Sequence, residues 1–320
     1  MSASTIAVSL VAGGLSYGTP VLFAGLGELL SERGGVLNLG VEGMMLVGAA
    51  CGFWVALIMP GPAWLVLTVA VVTAAFAGAC MAALFAVMCL LWRADQIVTG
   101  LALTIFGGAA GLSSYVASVG SLVGVPGRDF FHPVSVPGFD RIPFFGESVF
   151  SGQPILVYLS WLAVVAVSIY LYHTRWGLKL RSVGEDPAAA DAMGVNVRAY
   201  RFAHVVLGGA FAGVGGATYT LALLPSWSNG LTAGVGFVAI GLVIVAFWRP
   251  ELLLVGCYVF GVVLSLGFTL AAVGISLPPE FYASLPYLAT VVVLVVASSI
   301  WRGRRLGAPM GLGRYYSREE

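Results

Sequence analysis

The sequence predicts an all-α fold, a polytopic transmembrane bundle of about nine helices (eight to ten) with one short additional helix on the cytoplasmic side. Three observations carry this reading. Apolar residues make up 59% of the 320-residue chain and charged residues 9%, a balance that soluble globular domains of this length do not reach. The apolar residues fall in runs near the roughly 20 residues that a spanning helix needs, so the chain holds about eight to ten crossings with short connections. Basic residues are sorted into alternate connections between those runs, as the positive-inside rule requires of a multi-pass protein.

Taken in order, the apolar segments run from Ile6 to Leu26, Val36 to Ile58, Ala63 to Leu91, Ile97 to Val119, Ile155 to Tyr172, Phe202 to Leu224, Thr232 to Phe247, Leu252 to Val273 and Leu285 to Ile300. The first has no Lys or Arg before it and no cleavage site after a short apolar core, so it is expected as a retained span and not a removable signal. The third is long enough to require tilt. The seventh is short and opens on Gly230, Gly234 and Gly236, so it is expected to be partly unwound. Glycines four apart, at Gly14/Gly18, Gly48/Gly52, Gly107/Gly111 and Gly209/Gly213, let backbones approach closely and are expected to serve packing within one bundle. Gly35–Gly40 and Gly234–Ala239 echo one another faintly, each opening a glycine-rich membrane segment.

Arg93, the stretch holding Arg175, Lys179, Arg181, Arg198 and Arg201, then Arg249, and the tail with Arg302, Arg304, Arg305, Arg314 and Arg318 are expected on the cytoplasmic side. The segment 121–152, rich in Pro and Gly, is expected outside, and an odd span count places the N-terminus outside as well. The chain thus divides into one membrane domain, 1–301, and a basic cytoplasmic tail, 302–320, in the cytoplasmic (inner) membrane. A net charge of +1 leaves no basic stripe for nucleic acid. Cys51, Cys80, Cys89 and Cys257 lie in apolar runs without ligand spacing, so neither metal, cofactor nor disulfide is expected.

Two constellations stand out. Between Gly27 and Met45, polar residues crowd beside two spans. Glu28, Glu32 and Arg33 are expected at the cytoplasmic boundary, pairing with one another or with headgroups. Asn38 and Glu42, four apart, are expected on one helical face deeper in, either lining a polar path or hinge or forming an internal clasp. In the loop 173–201, Asp186-Pro187 reads as an N-cap with Pro at the first helical position, Ala188 to Met193 as helix formers and Gly194 as the stop. That predicts a helix of about two turns below the membrane, either docked on a partner or free in the loop.

Leu30-Ser31-Glu32-Arg33-Gly34-Gly35-Val36-Leu37-Asn38-Leu39-Gly40-Val41-Glu42-Gly43-Met44-Met45 closely resembles the opening signature of the nucleoside and simple-sugar permeases of ABC importers, within the branched-chain amino acid permease superfamily. Gly184 to Val195 resembles that superfamily's coupling segment, and Asp95 to Gly100 and Trp248-Arg249-Pro250 fit the nucleoside branch. The resemblance implies that Gly184, Glu185, Asp186, Pro187, Asp191 and Gly194 contact an ATPase. It also implies a separate ATP-binding subunit, a paralogous second permease and a lipid-anchored extracytoplasmic binding protein, and leaves a simple sugar or branched-chain amino acid as alternative cargo.

The residues constrain the chemistry further. Lys179 is the sole Lys and lies between Leu178 and Leu180, so no phosphate-binding loop of the Gly-x4-Gly-Lys-Ser/Thr type exists and any ATP hydrolysis occurs on another polypeptide. No His-Glu-x-x-His, paired intramembrane Asp or Ser-Lys arrangement points to an enzyme, and Glu42 as nearly the sole deep ionisable group provisions a secondary transporter's proton relay poorly. The cargo expected is a small neutral solute, with Asn38, Gln96, Thr99, Trp227 and Asn229 as hydrogen-bonding or stacking candidates beside Glu42.

Overall fold

The computed structural model describes residues 3–127, 134, 146–150, 152–272, 278, 281, 284, 288, 291, 295 and 307–316. Among them the fold is helical, the β pairing being two isolated bridges, Val123 with Trp227 and Val134 with Gln153. Long helices are the only regular structure that closes all its own backbone hydrogen bonds in a bilayer without forming a barrel.

The helices are α1 (Ala3–Arg33), α2 (Val41–Ile58), α3 (Ala63–Ala86), α4 (Gln96–Gly107), α5 (Leu112–Val119), α6 (Ile155–His173), α7 (Arg175–Glu185), α8 (Pro187–Ala192), α9 (Val197–Thr218), α10 (Val235–Val245) and α11 (Pro250–Ala272). Seven stretches among the described residues are long and apolar enough to cross a membrane: Thr5–Arg33, Val41–Ile58, Ala63–Leu91, Gln96–Val119, Ile155–His173, Val197–Leu223 and Pro250–Gly267. The expected count of nine is not reached among the described residues, for two reasons. The expected seventh crossing is α10, whose 11 residues rise only about 16 Å, half of a hydrocarbon core of about 30 Å. The expected ninth, Leu285–Ile300, lies outside the described residues apart from isolated positions. The external segment 121–152 is likewise described only in part.

Glycine explains why α9 sits at the centre. Gly208 lies against Gly27 of α1, Gly209 against Gly78 of α3, Gly213 against Ala74 and Gly48, and Gly216 against Met45 of α2. Three helices therefore meet α9 at backbone contact, where small residues maximise dispersion and no hydrophobic driving force distinguishes protein from lipid. The four-residue glycine spacings do serve packing within one chain. A Cβ at Gly213 would lie 2.1 Å from the Ala74 carbonyl oxygen. Gly213→Val is accordingly expected to destabilise the bundle by about 3 kcal/mol or more through overpacking that backbone cannot relieve. Thermal unfolding of the detergent-solubilised protein, followed by loss of its monodisperse peak, checks this.

Candidate functional site

The signature segment departs from helix where the sequence suggested that helix would continue. After Arg33 the chain turns, Val36–Gly40 carries no regular structure, and α2 starts only at Val41. Asn38 and Glu42 therefore do not share a helical face, which corrects the expectation. Val36–Gly40 instead runs back beside the last turns of α1, because the Asn38 N–H donates to Glu28 Oε1 (2.9 Å), and Glu28 lies five residues, about 8 Å, before Arg33. Non-helical backbone at that depth must find partners within the protein. It does: Leu37 N–H donates to Gln96 Oε1 (2.9 Å), Thr104 Oγ1 donates to the Leu39 carbonyl (2.8 Å), and Gly40 N–H donates to Asn38 Oδ1 (3.0 Å). The Asn38 amide nitrogen faces Met44 Sδ at 3.4 Å.

The Asp95–Gly100 motif seats this segment. Asp95 caps α4 by accepting from Ile97 N–H and Val98 N–H, both at 2.9 Å, which orients Gln96 toward Leu37. Gly100 admits Leu39, whose backbone nitrogen would lie 2.8 Å from an added Cβ. Thr99 is buried on the same short helix.

Glu42, 6% exposed, reaches across to the start of α10. Its Oε1 accepts from Thr232 Oγ1 (2.6 Å) and Gly234 N–H (2.8 Å), and its Oε2 from Gly236 N–H (2.7 Å). The helix start is made by Gly234 in the left-handed region (φ +85°), a conformation glycine adopts without penalty. Gly236 then lets α2 approach, since a Cβ there would sit 2.7 Å from the Glu42 backbone. An acid at a helix N-terminus meets both unpaired N–H groups and the positive end of the helix dipole.

The other end of α10 is held in the complementary way. Phe247 and Trp248 take left-handed φ values of +52° and +54°, strained for bulky residues, and Arg33 donates to their carbonyls: Nη2 to Trp248 O (2.8 Å) and Phe247 O (3.5 Å), Nε to Trp248 O (3.2 Å). Trp248 Nε1 donates to Glu32 Oε2. Glu32 and Glu28 are fully buried, so the expectation that they meet headgroups or pair with Arg33 is replaced. Glu28 accepts from the Asn38 N–H of the α1–α2 connection and Glu32 from the Trp248 indole of the α10–α11 turn. The signature thus brackets a half-length helix, with a base at its negative end and an acid at its positive end.

Trp227 and Asn229 lie apart from this cluster. The indole N–H donates to Asn229 Oδ1 (3.1 Å), and the ring is 3% exposed in a core with Phe53, Leu122 and Leu156. Its faces are packed by protein, which leaves none to stack on a base.

The short helix forms as the sequence predicts. Asp186 Oδ1 accepts from Ala189 N–H (3.0 Å), Pro187 is the first helical residue, and Gly194 ends the turn at φ +81°. What the sequence did not reveal is α7, an amphipathic helix capped by Thr174 through the Gly177 N–H (3.0 Å), which delivers α8 to the end of the bundle. Gly184 closes that connection against α1, where a Cβ would meet the Arg33 carbonyl oxygen at 2.1 Å. No cluster of three His, Cys, Asp or Glu side chains able to hold a metal occurs among the described residues.

Comparison with known proteins adds the following. Residues 10–296 match the family described as branched-chain amino acid transport system / permease component. The chain is 37% identical to TsgC13 of Haloferax volcanii, provisionally named a glucose ABC transporter permease protein, over 98% of this chain and 99% of that one. It is 34% identical to the nucleoside ABC transporter permease protein NupC of Lactococcus lactis subsp. cremoris, over 90% and 91%. It is 31% identical to the guanosine ABC transporter permease protein NupQ of Bacillus subtilis, over 89% and 90%. No solved structure gives a significant match.

Proposed function

The chain belongs to the branched-chain amino acid transport permease family of ABC transporters, and from that premise we propose that it is the membrane-spanning subunit of an ATP-driven importer for nucleosides. In this reading it forms the translocation path with a paralogous second permease, a separate ATP-binding subunit drives it, and a lipid-anchored binding protein delivers the cargo. It resides in the cytoplasmic membrane with α7, α8 and the C-terminus inside, since Arg33, Arg93, Arg181, Arg201 and Arg314 gather at one end of the bundle.

The observation that carries the proposal is α8. Gly184, Glu185, Asp186, Pro187, Asp191 and Gly194 build a capped, sharply stopped helix at that basic end, packed on α7 and α9 and joined to the signature where Gly184 meets Arg33, in a chain with no phosphate-binding loop of its own. An exposed helix fixed to the membrane core is what a separate ATPase can push.

A neutral cargo follows from how the deep polar groups are spent. Glu28 and Glu42 accept from protein backbone, so these deep carboxylates are already engaged and neither is free to meet the ammonium of a zwitterion, whose dehydration would cost several kcal/mol per charge. Asn38, Gln96, Thr99 and Glu42 then act mainly by shaping the segments that border the path. The names of NupC and NupQ favour a nucleoside. The name of TsgC13 favours a hexose as the second reading.

Uptake of labelled guanosine, uridine, glucose and leucine by the reconstituted importer decides between them. ATP-dependent guanosine or uridine uptake, competed by excess unlabelled nucleoside, is expected. Glucose uptake that nucleoside leaves unaffected would transfer the assignment to hexoses, and leucine uptake of that kind would overturn the neutral-solute reading.

A further inference from the structure

Residues 307–316 of the basic tail lie across the end of the bundle and bond to its connections. Met310 N–H donates to Glu185 Oε2 (3.3 Å), Gly311 N–H to the Gly184 carbonyl (2.8 Å) and Gly313 N–H to the Gly35 carbonyl (3.1 Å). Arg201, 3% exposed, joins the same elements, its Nε donating to Gly34 O and its Nη1 to Arg314 O, both at 3.0 Å. Tyr316 donates to Asp191 Oδ2 (3.0 Å) and packs on the small cluster of Val183, Ala190 and Val197. The Arg93 guanidinium lies 5.2 Å from the Tyr315 ring centre.

The positions of these bonds matter more than their number. A helix of six residues has no stability of its own, so the pose of α8 is set by what holds it. The tail holds it at both ends, through Gly184 and Glu185 before it and Asp191 within it. Two residues from the Gly184 bond, the same tail is bonded to Gly35, where the non-helical signature segment begins. From there the chain leads through Asn38 to Glu42 and the half-helix α10. A displacement of α8 relative to Val36–Gly40 must therefore break tail bonds or carry the segment with it.

We propose that residues 307–316 are a positioning strap that keeps α8 in register with the signature segment, so that displacement of α8 by the ATPase reaches Val36–Gly40 and α10 and is not lost in a flexing loop. The strap deepens the functional reading above and rests on α8 being the ATPase contact.

Three variants of the full importer test it: a chain ending at Leu306, Gly313→Val, and the helix double variant Asp186→Ala/Gly194→Val as a control for the underlying reading. Gly313 has φ +71°, and a Cβ added there would meet no atom within 4 Å, so Val strains the tail turn without its Cβ touching the bundle. Thermal unfolding, co-purification of the ATPase and ATP hydrolysed per solute imported are measured for each. In the shortened chain, uptake per ATP is expected to fall about tenfold, an ordinary size for coupling between two sites, with the bundle folded and the ATPase still bound. Gly313→Val should lower it roughly threefold through the cost of a left-handed β-branched residue. A merely structural tail would change unfolding and yield but leave the ratio of ATP to solute alone. If the shortened chain does not fold, Gly313→Val decides. An unchanged ratio in the strap variants with an impaired helix control overturns the strap alone, whereas a helix control that transports normally overturns the coupling reading and the strap with it.

Discussion

Glu42→Ala is expected to destabilise the protein by about 3–5 kcal/mol and to abolish transport, because hydrogen bonds to charged groups contribute about 1.5–3 kcal/mol each and buried donors left unpaired cost about as much. The side chain accepts from three donors, two of them backbone N–H groups of the α10 N-terminus that have no other intrahelical partner. Conservative changes should grade the loss. In Glu42→Gln the carbonyl oxygen can keep the Thr232 and Gly234 bonds of Oε1, but the NH2 then faces Gly236 N–H as donor against donor, so an intermediate loss is expected. Thr232→Val removes one bond and should cost about 1 kcal/mol. Thermal unfolding and uptake measured side by side discriminate between clasp and path. A Glu42→Ala protein as stable as the parent but inactive would return Glu42 to the lining of the translocation path.

This outcome bears on what the sequence could and could not disclose. Apolar run length reports long helices, and these were legible: the segments beginning at Ile6, Ala63, Ile155, Phe202 and Leu252 all became helices long enough to cross a membrane. Apolarity alone does not report helicity, because extended backbone buried at depth is just as apolar. From sequence, Val36–Gly40 therefore reads as the first turn of a span and Ile97–Val119 as one apolar run, although the helix breaks at Gly108–Gly111 between α4 and α5. The partners that make an unwound segment possible are remote in sequence, ten residues away for Glu28, 59 for Gln96 and more than 190 for the α10 start. Glycines were the one local hint, and at Gly230, Gly234 and Gly236 they did predict the shortened seventh segment. Local rules succeeded where the chemistry is local, as in the Asp186 cap and the Gly194 stop. The tail's basic composition gave its side of the membrane as an expectation and nothing of its bonds, which are mostly to backbone and carry no side-chain signature.

The caps of α8 provide the other large effect, this time on coupling rather than stability. Asp186→Ala removes a cap that contributes about 0.5–2 kcal/mol, and Gly194→Val places a β-branched residue at φ +81° at a further cost of about 1–2 kcal/mol. Against a six-residue helix these losses are decisive, since nothing in its own length can absorb them. Against the bundle they are negligible: no atom lies within 4 Å of a Cβ at Gly194, and the Asp186 bond is exposed. Together the two changes are expected to lower ATP-driven uptake more than tenfold, a coupling-sized effect, while the thermal midpoint of the permease stays near that of the parent. Asp186→Asn and Gly194→Asn should restore uptake, because Asn caps helices as well as Asp does and tolerates the left-handed region better than other residues with a side chain. Uptake that stays low in the Asn variants would mean that the ATPase reads the Asp186 charge or the bare Gly194 surface directly, and normal uptake in the Ala and Val variants would reduce α8 to an ordinary loop helix.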